Sequence, residues 1–168
     1  IRKTTDGGHT WLYQSASLGN YILRDIKFLN STTGIAVGDG GYIVRTTNGG
    51  TNWVQSTSGI TNDLQSIDLG SIGLSNIIWY AAGFGGKILK STNNGVSWGQ
   101  LTSGTTVNLF ELDVCTNSRD TVFACGGQGL IIKSSNGGGS FVGVEQNGNF
   151  IPSKYSLSQN YPNPFNPS

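Results

Sequence analysis

Methionine is absent from all 168 residues, and proline is absent from the first 151. Histidine occurs once and cysteine twice, and charged residues make up 11% of the chain, against roughly 25% in an average soluble domain. Each shortage excludes something. The single His9 has no second histidine or carboxylate at ligand spacing, so it reads as an exposed turn residue and no metal site or cofactor is expected. A net charge of +1 gives no electrostatic footprint for nucleic acid or an anionic membrane. No apolar run approaches the roughly 18 residues of a membrane-spanning helix. A long stretch without proline suits a backbone whose N–H groups go into β ladders. Cys115 and Cys125 leave two readings open. A secreted chain permits a disulfide, and two free thiols pack like small apolar groups. On adjacent strands joined near Ser118, Cys115 falls opposite residues 121–123 and Cys125 opposite about Leu112, which does not make them direct partners.

Glycine is abundant, at 26 residues or about twice the usual share. It is spaced by a repeat. Four segments align without gaps: "IRKTTDGGHTW" from Ile1, "IVRTTNGGTNW" from Ile43, "ILKSTNNGVSW" from Ile88 and "IIKSSNGGGSF" from Ile131, with starts 42, 45 and 43 residues apart. Upstream of the last three lie "GIAVGDGGYI", "WYAAGFGGKI" and "VFACGGQGLI", and before those "LRDIKF", "LQSIDL" and "LFELDV". Each unit holds four short strand-like runs separated by turn residues, with no helical period. A four-stranded unit of about 43 residues predicts an all-β fold of β-propeller blades: half a blade, three full blades, and an open arc over residues 1–144. The chain opens inside a repeat and is expected to be part of a longer polypeptide. Inner-strand residues Leu23, Ile26, Phe28, Leu64, Ile67, Leu69, Leu109, Leu112 and Val114 are expected to pack. Trp11, Trp53, Trp98 and Phe141 should hold equivalent places.

The turn before each aromatic has a physical reading. The Asn48 oxygen accepts from backbone N–H groups about two residues on, and Gly50 supplies a conformation that other residues resist. The same reading covers Asp6 with Gly8, Asn93 with Gly95, and Asn136 with Gly138. The run Thr4–Trp11 resembles an Asp-box, the bacterial neuraminidase repeat. The whole unit, with "AVGDGGYIVRTTNGGTNW" from Ala36, more closely resembles the propeller repeats of the photosystem II assembly and stability factor family. Three of the four boxes carry Asn in place of Asp, which keeps the acceptor and drops the charge. That favours turn closure over metal binding.

Two sets of residues are candidates for recognition. Lys3, Arg45, Lys90 and Lys133 recur at one position, either as a ladder for an anionic or peptide partner or as third-strand charges that pair locally. The loops between blades and the turns between second and third strands form the face where propellers usually bind ligands. Tyr21, Asp39, Asp63, Phe84, Asn108 and Gln128 lie there. A sialidase-like enzyme, which the Asp-box implies as an alternative, needs an arginine cluster and a pair of carboxylates. Of Arg2, Arg24, Arg45 and Arg119 only Arg24 lies on an inner strand, and Glu111 and Glu145 make no glycosidase couple. No catalytic residue is therefore assigned.

After Val144 the repeat stops, and Pro152, Pro162, Pro164 and Pro167 follow. Proline fixes φ and biases its neighbour to extended geometry, so residues 145–168 read as a linker that leaves the sheet. "LSQNYPNPFNPS", from Leu157 to Ser168, resembles the opening of the C-terminal sorting domain of the type IX secretion system of Gram-negative bacteria. On that resemblance the sorting residues are Gln159, Asn160, Tyr161, Pro162, Asn163, Pro164, Phe165, Asn166 and Pro167, and the machinery of that system is one partner. The expected product is a non-catalytic binding or scaffold module, secreted or on the outer cell surface, with a protein or glycan ligand. The alternatives are part of an Asp-box glycoside hydrolase, or an assembly factor.

Overall fold

The computed structural model describes residues 1–14, 19–72, 75–115 and 120–144. A two-stranded sheet, β1 (Arg2–Lys3) and β2 (Leu12–Tyr13), comes first. Three four-stranded antiparallel sheets follow, each in simple chain order. Blade one is β3 (Leu23–Phe28), β4 (Gly34–Gly38), β5 (Ile43–Thr46) and β6 (Val54–Ser56). Blade two is β7 (Leu64–Ile72), β8 (Ser75–Gly83), β9 (Lys87–Ser91) and β10 (Gly99–Leu101). Blade three is β11 (Leu109–Val114), β12 (Val122–Gly126), β13 (Ile131–Ser134) and β14 (Val142–Gly143). This is the half blade and three blades of the repeat, in an unclosed array. β7 and β8 run beyond the expected 64–69 and 78–83, because pairing continues through Gly70↔Ile78 to Ile72↔Ser75.

The period-2 alternation of each strand sends successive side chains to opposite neighbouring sheets. Ile35 and Val37 of β4 face forward and pack with Leu64, Ile67, Trp79, Ala81 and Leu89 of blade two. Tyr80, Ala82 and Ile88 of blade two pack with Leu109, Leu112, Val114 and Ile132 of blade three. A smaller cluster, Ala36, Tyr42, Val44 and Trp53, faces back toward Ile1. The inner strands of blades two and three are thus packed as expected, with Leu69 half-buried. Blade one departs from the expectation. Leu23 is half-buried, Ile26 is 50% exposed and Phe28 is 41% exposed. The sheet beside them has only two strands, so no second strand lies over them in the way β4 covers Ile67. The box aromatics hold equivalent places just before each outermost strand. Trp53, Trp98 and Phe141 each join an inter-sheet cluster, while Trp11, on the two-stranded sheet, is left exposed.

Each box turn is closed by two acceptors. Asn48 Oδ1 accepts from the N–H of Asn52 at 2.9 Å, four residues on and not the expected two. The Thr46 hydroxyl, buried in the turn, accepts from Gly50 N–H at 2.9 Å and donates to Asn48 Oδ1 at 3.0 Å. Ser91 with Asn93, Ser134 with Asn136, and Thr4 with Asp6 repeat the pattern. Asp6 alone is charged, and hydrogen bonds from Thr10 and then Thr4 hold its carboxyl well below the usual range. The contribution of that carboxylate is complete above its ordinary pKa of about 4 and is lost only in strong acid, as pH falls through the depressed value. The hydroxyl should matter more than the amide. Ser91→Ala leaves the buried Gly95 N–H without an acceptor and should cost about 1–3 kcal/mol. Asn93→Ala frees an N–H that water can reach and should cost about 0.5–2 kcal/mol. Urea denaturation of both variants measures the order. Since these oxygens serve turn donors, EDTA should leave the melting temperature unchanged, and a fall of several degrees would reveal a bound cation.

Side chains also tie blade to blade along the inner strands, whose free edges would otherwise expose backbone donors. Asp25 accepts from Ile67 N–H at 2.8 Å, and Ser66 accepts from Leu112 N–H at 3.2 Å. Asp68 accepts from Val114 N–H at 2.8 Å through one oxygen and pairs with Lys27 at 2.7 Å through the other. The repeated base takes part as well. Lys90 donates to the carbonyl of Gly137, in the box turn of the next blade, at 2.7 Å. For this position the local reading of the basic ladder holds.

Candidate functional site: the loop face

The loops that join blades and the turns between second and third strands meet on one face. Their packing is set by hydrogen bonds to left-handed turns. Gly40, with φ 66°, donates its N–H to Asp63 Oδ1 at 2.8 Å, and Gly85, with φ 68°, donates to Asn108 Oδ1 at 2.9 Å. Asp63 and Asn108 are therefore loop clamps, one from each inter-blade loop. Gln128 is the counterpart of Gly40 and Gly85. It is exposed and holds a φ of 59° without glycine.

Asp39 is also engaged. Arg24 on β3 grips it with Nε at 2.6 Å and Nη2 at 3.0 Å. The hydrogen bond to Asp39 raises the guanidinium pKa, against a smaller opposing effect of desolvation. The aromatic candidates remain available. Tyr21 stacks on Tyr42 at 4.0 Å with a 13° tilt, and its outer face leaves it 54% exposed. Burial, and next the neighbouring Tyr21, push the Tyr42 phenol up. Phe84 meets Phe110 edge to face at 6.2 Å, and Phe110 is 50% exposed. Sequence reasoning missed Arg24 and Phe110 on this face. They occupy the same position of the first strand, one after Leu23 and Leu109, and that shared register was the available signal.

Two grooves recur beside these residues, one at blade one and one at blade two. The first, about 260 Å³, is lined by Tyr21, Gly40–Tyr42 and Gln55–Thr61. The second, about 570 Å³, is lined by Gly85–Lys87 and Gln100–Thr106. Their walls repeat a sequence, "QSTSGIT" and "QLTSGTT". In both, the serine is spent on the loop: Ser58 and Ser103 donate to the carbonyls of Ile60 and Thr105 at 3.1 Å. The face thus offers polar walls, with Lys87 on the wall of the second groove, and exposed aromatic rings. Its carboxylates are tied up in clamps. On the inner strands, Asp25, Asp68 and Glu111 are each bonded to protein groups. Cys115 and Cys125 are free thiols; Cys125 pairs across from Glu111, one residue from the expected Leu112, owing to a bulge between Leu109 and Glu111. Arg119, Glu145 and the sorting residues Gln159–Pro167 lie outside the described residues.

Three meander sheets, box turns and inter-blade clamps define a β-propeller segment. A family model for the photosynthesis system II assembly factor YCF48 matches residues 9–108, and the chain belongs to that family. Solved structures agree on the fold. YCF48 bound to a D1 peptide superposes with a TM-score of 0.62 at 18% identity, over 73% of this chain and 39% of that one. YCF48 from Cyanidioschyzon merolae gives 0.60 at 18% identity with the same coverage. An ancestral GH74 enzyme gives 0.67 at 20% identity, over 83% of this chain and 20% of that one. The chain therefore spans well under half the length of these neighbours. No curated protein matches it.

Proposed function

We propose that this chain is the blade-forming part of an exported, non-catalytic β-propeller that holds a protein partner on its loop face. One observation carries the reading. Asp39, Asp63 and Asn108 of that face are bonded within the fold, while the rings of Tyr21 and Phe110 stand half exposed beside grooves whose walls carry no carboxylate. Aromatic faces offer large, rigid contact area to an extended peptide, whereas glycoside hydrolysis calls for a pair of carboxylates free to meet the substrate. The YCF48 neighbour solved with a D1 peptide supports a peptide-like ligand. The resemblance of residues 157–168 to a type IX sorting segment supports export to the outer surface of a Gram-negative cell. The GH74 neighbour favours a second reading, a segment of a glycoside hydrolase whose catalytic groups lie on other blades.

The test uses the native polypeptide on an array of random 15-residue peptides. Enriched peptides should bind at least about tenfold more weakly to the Phe84→Ala/Phe110→Ala variant, the loss of one modest hot spot. No enrichment, together with release of reducing ends from a glycan panel, would establish the hydrolase instead. Export is tested separately in a type IX-competent host, with and without everything after Val144. Equal recovery of both forms outside the cell would refute the sorting role.

A further inference from the structure

The two grooves of the loop face share a backbone and part of a sequence, yet one repeat position differs in kind. Tyr42 and Lys87 each follow a left-handed glycine pair, Gly40–Gly41 and Gly85–Gly86, and each lines its groove. At blade one Tyr42 is only 4% exposed and stacked on Tyr21, so its ring is already covered. At blade two the counterpart of Tyr21, two residues before the inner strand, is Asn62, and Lys87 stays half-buried. Other lysines are engaged: Lys27 by Asp68, Lys90 by the Gly137 carbonyl, and Lys133 over the Phe123 ring. Among the described residues Lys87 has no such partner. It is the only charged residue lining its groove, which holds about 570 Å³. The same wall carries a hydroxyl donor. Thr105 Oγ1 accepts from Val107 N–H at 3.1 Å, which leaves its own proton for a second bond.

We infer that the groove at blade two reads a side-chain carboxylate, a Glu or Asp of the peptide held on the loop face, with Lys87 as the residue that sets this preference. The inference rests on the peptide-holding reading given above. Charge complementarity carries it: a half-buried ammonium in a concave wall without a carboxylate is completed by one acid from outside. The position of the acid in the ligand follows from the turn. Phe84–Gly86 leads straight into Lys87, and the ends of such a four-residue turn lie within about 7 Å. Neighbouring Cα atoms of an extended peptide are about 3.8 Å apart. The acid therefore falls one or two residues from the apolar residue that meets Phe84 and Phe110. The groove at blade one, with Tyr42 in place of Lys87, has no charge on its walls and makes no such demand. A nucleic-acid strand is a poor fit, since its many phosphates would face one free ammonium and the carboxylates of Asp39 and Asp63 on the same face.

The test presents the random peptide array to the native polypeptide, with every peptide tethered through its C-terminus so that only side chains carry a carboxylate. Enriched peptides should hold a Glu or Asp within two residues of an aromatic or aliphatic residue. Changing that acid to its amide should weaken binding at least about fivefold. Lys87→Gln should erase this difference and leave the amide version bound within about twofold of its original strength, while Lys87→Arg should keep the difference. Raising NaCl from about 0.05 to 0.5 M should shrink it. Enriched peptides with no excess of acids, or a difference that survives Lys87→Gln, would overturn the inference and leave the peptide reading standing. No enrichment at all would overturn that reading and this inference with it. In solution, a preference of the same peptides for a free over an amidated C-terminus would assign the groove to a terminal carboxylate and overturn the side-chain assignment.

Discussion

Gly86→Ala is expected to destabilise the chain by about 4 kcal/mol or more, a large share of the 5–15 kcal/mol that holds a typical domain. Two costs add at this position. Gly86 has a φ of +68°, which an L side chain enters at about 1–2 kcal/mol. A Cβ there would also lie 2.1 Å from the carbonyl oxygen of Thr105 and 2.8 Å from its carbon. Those are backbone atoms of the inter-blade loop and cannot rotate aside, so the loop must leave the turn it packs on. Gly59→Ala is the control. Its φ is +78°, but nothing lies within 4 Å of the new Cβ, so only the conformational cost applies. Urea midpoints at constant m-value separate the two. Equal losses would mean that the close approach contributes nothing.

That contact shows which parts of the fold were legible. The repeat could be read because the same turn is closed by the same atom types four times, and local chemistry leaves a periodic trace. The glycine pair before the third strands of blades one and two was visible too. Its second reason, the carbonyl of a loop nineteen residues later, was not, because nothing in "GFGGK" names Thr105. Of the two adjacent hydroxyls in the last three boxes, the first, Thr46, Ser91 or Ser134, is buried and bonded and the second is exposed; both look alike in one dimension. Inter-blade bonds were hidden for a different cause. Asp25 and Ser66 do one job with unlike residues, because either oxygen can accept one N–H. On the loop face the engagement of Asp39, Asp63 and Asn108 was hidden, since Arg24, Gly40 and Gly85 satisfy them from 15, 23 and 23 residues away. Expectation failed at Ile26 and Phe28 because burial depends on the neighbouring sheet, which their own strand cannot encode.

Asp68→Ala should cost about 2–3 kcal/mol, and Lys27→Ala under about 1 kcal/mol, although the two residues form one ion pair. The asymmetry follows from geometry. The Lys27 side chain is 47% exposed, so losing it hands Asp68 Oδ1 to water and forfeits little beyond a screened Coulomb term. Asp68 is buried at 6% and spans two junctions, holding Lys27 of blade one on one oxygen and Val114 N–H of blade three on the other. Removing it strands a donor on a packed inner strand and deletes a charge-assisted bond. Asp68→Asn keeps an oxygen for Val114 and should fall between the two. The pair also predicts a pH response. Its hydrogen bond to Asp68 raises the Lys27 pKa from the ordinary 10.5, so the contribution is complete below that value and fades as pH rises through the raised one. A double-mutant cycle in urea at pH 7 measures the coupling. If Lys27→Ala costs as much as Asp68→Ala, the ion pair holds the blades together and the bond to Val114 does not.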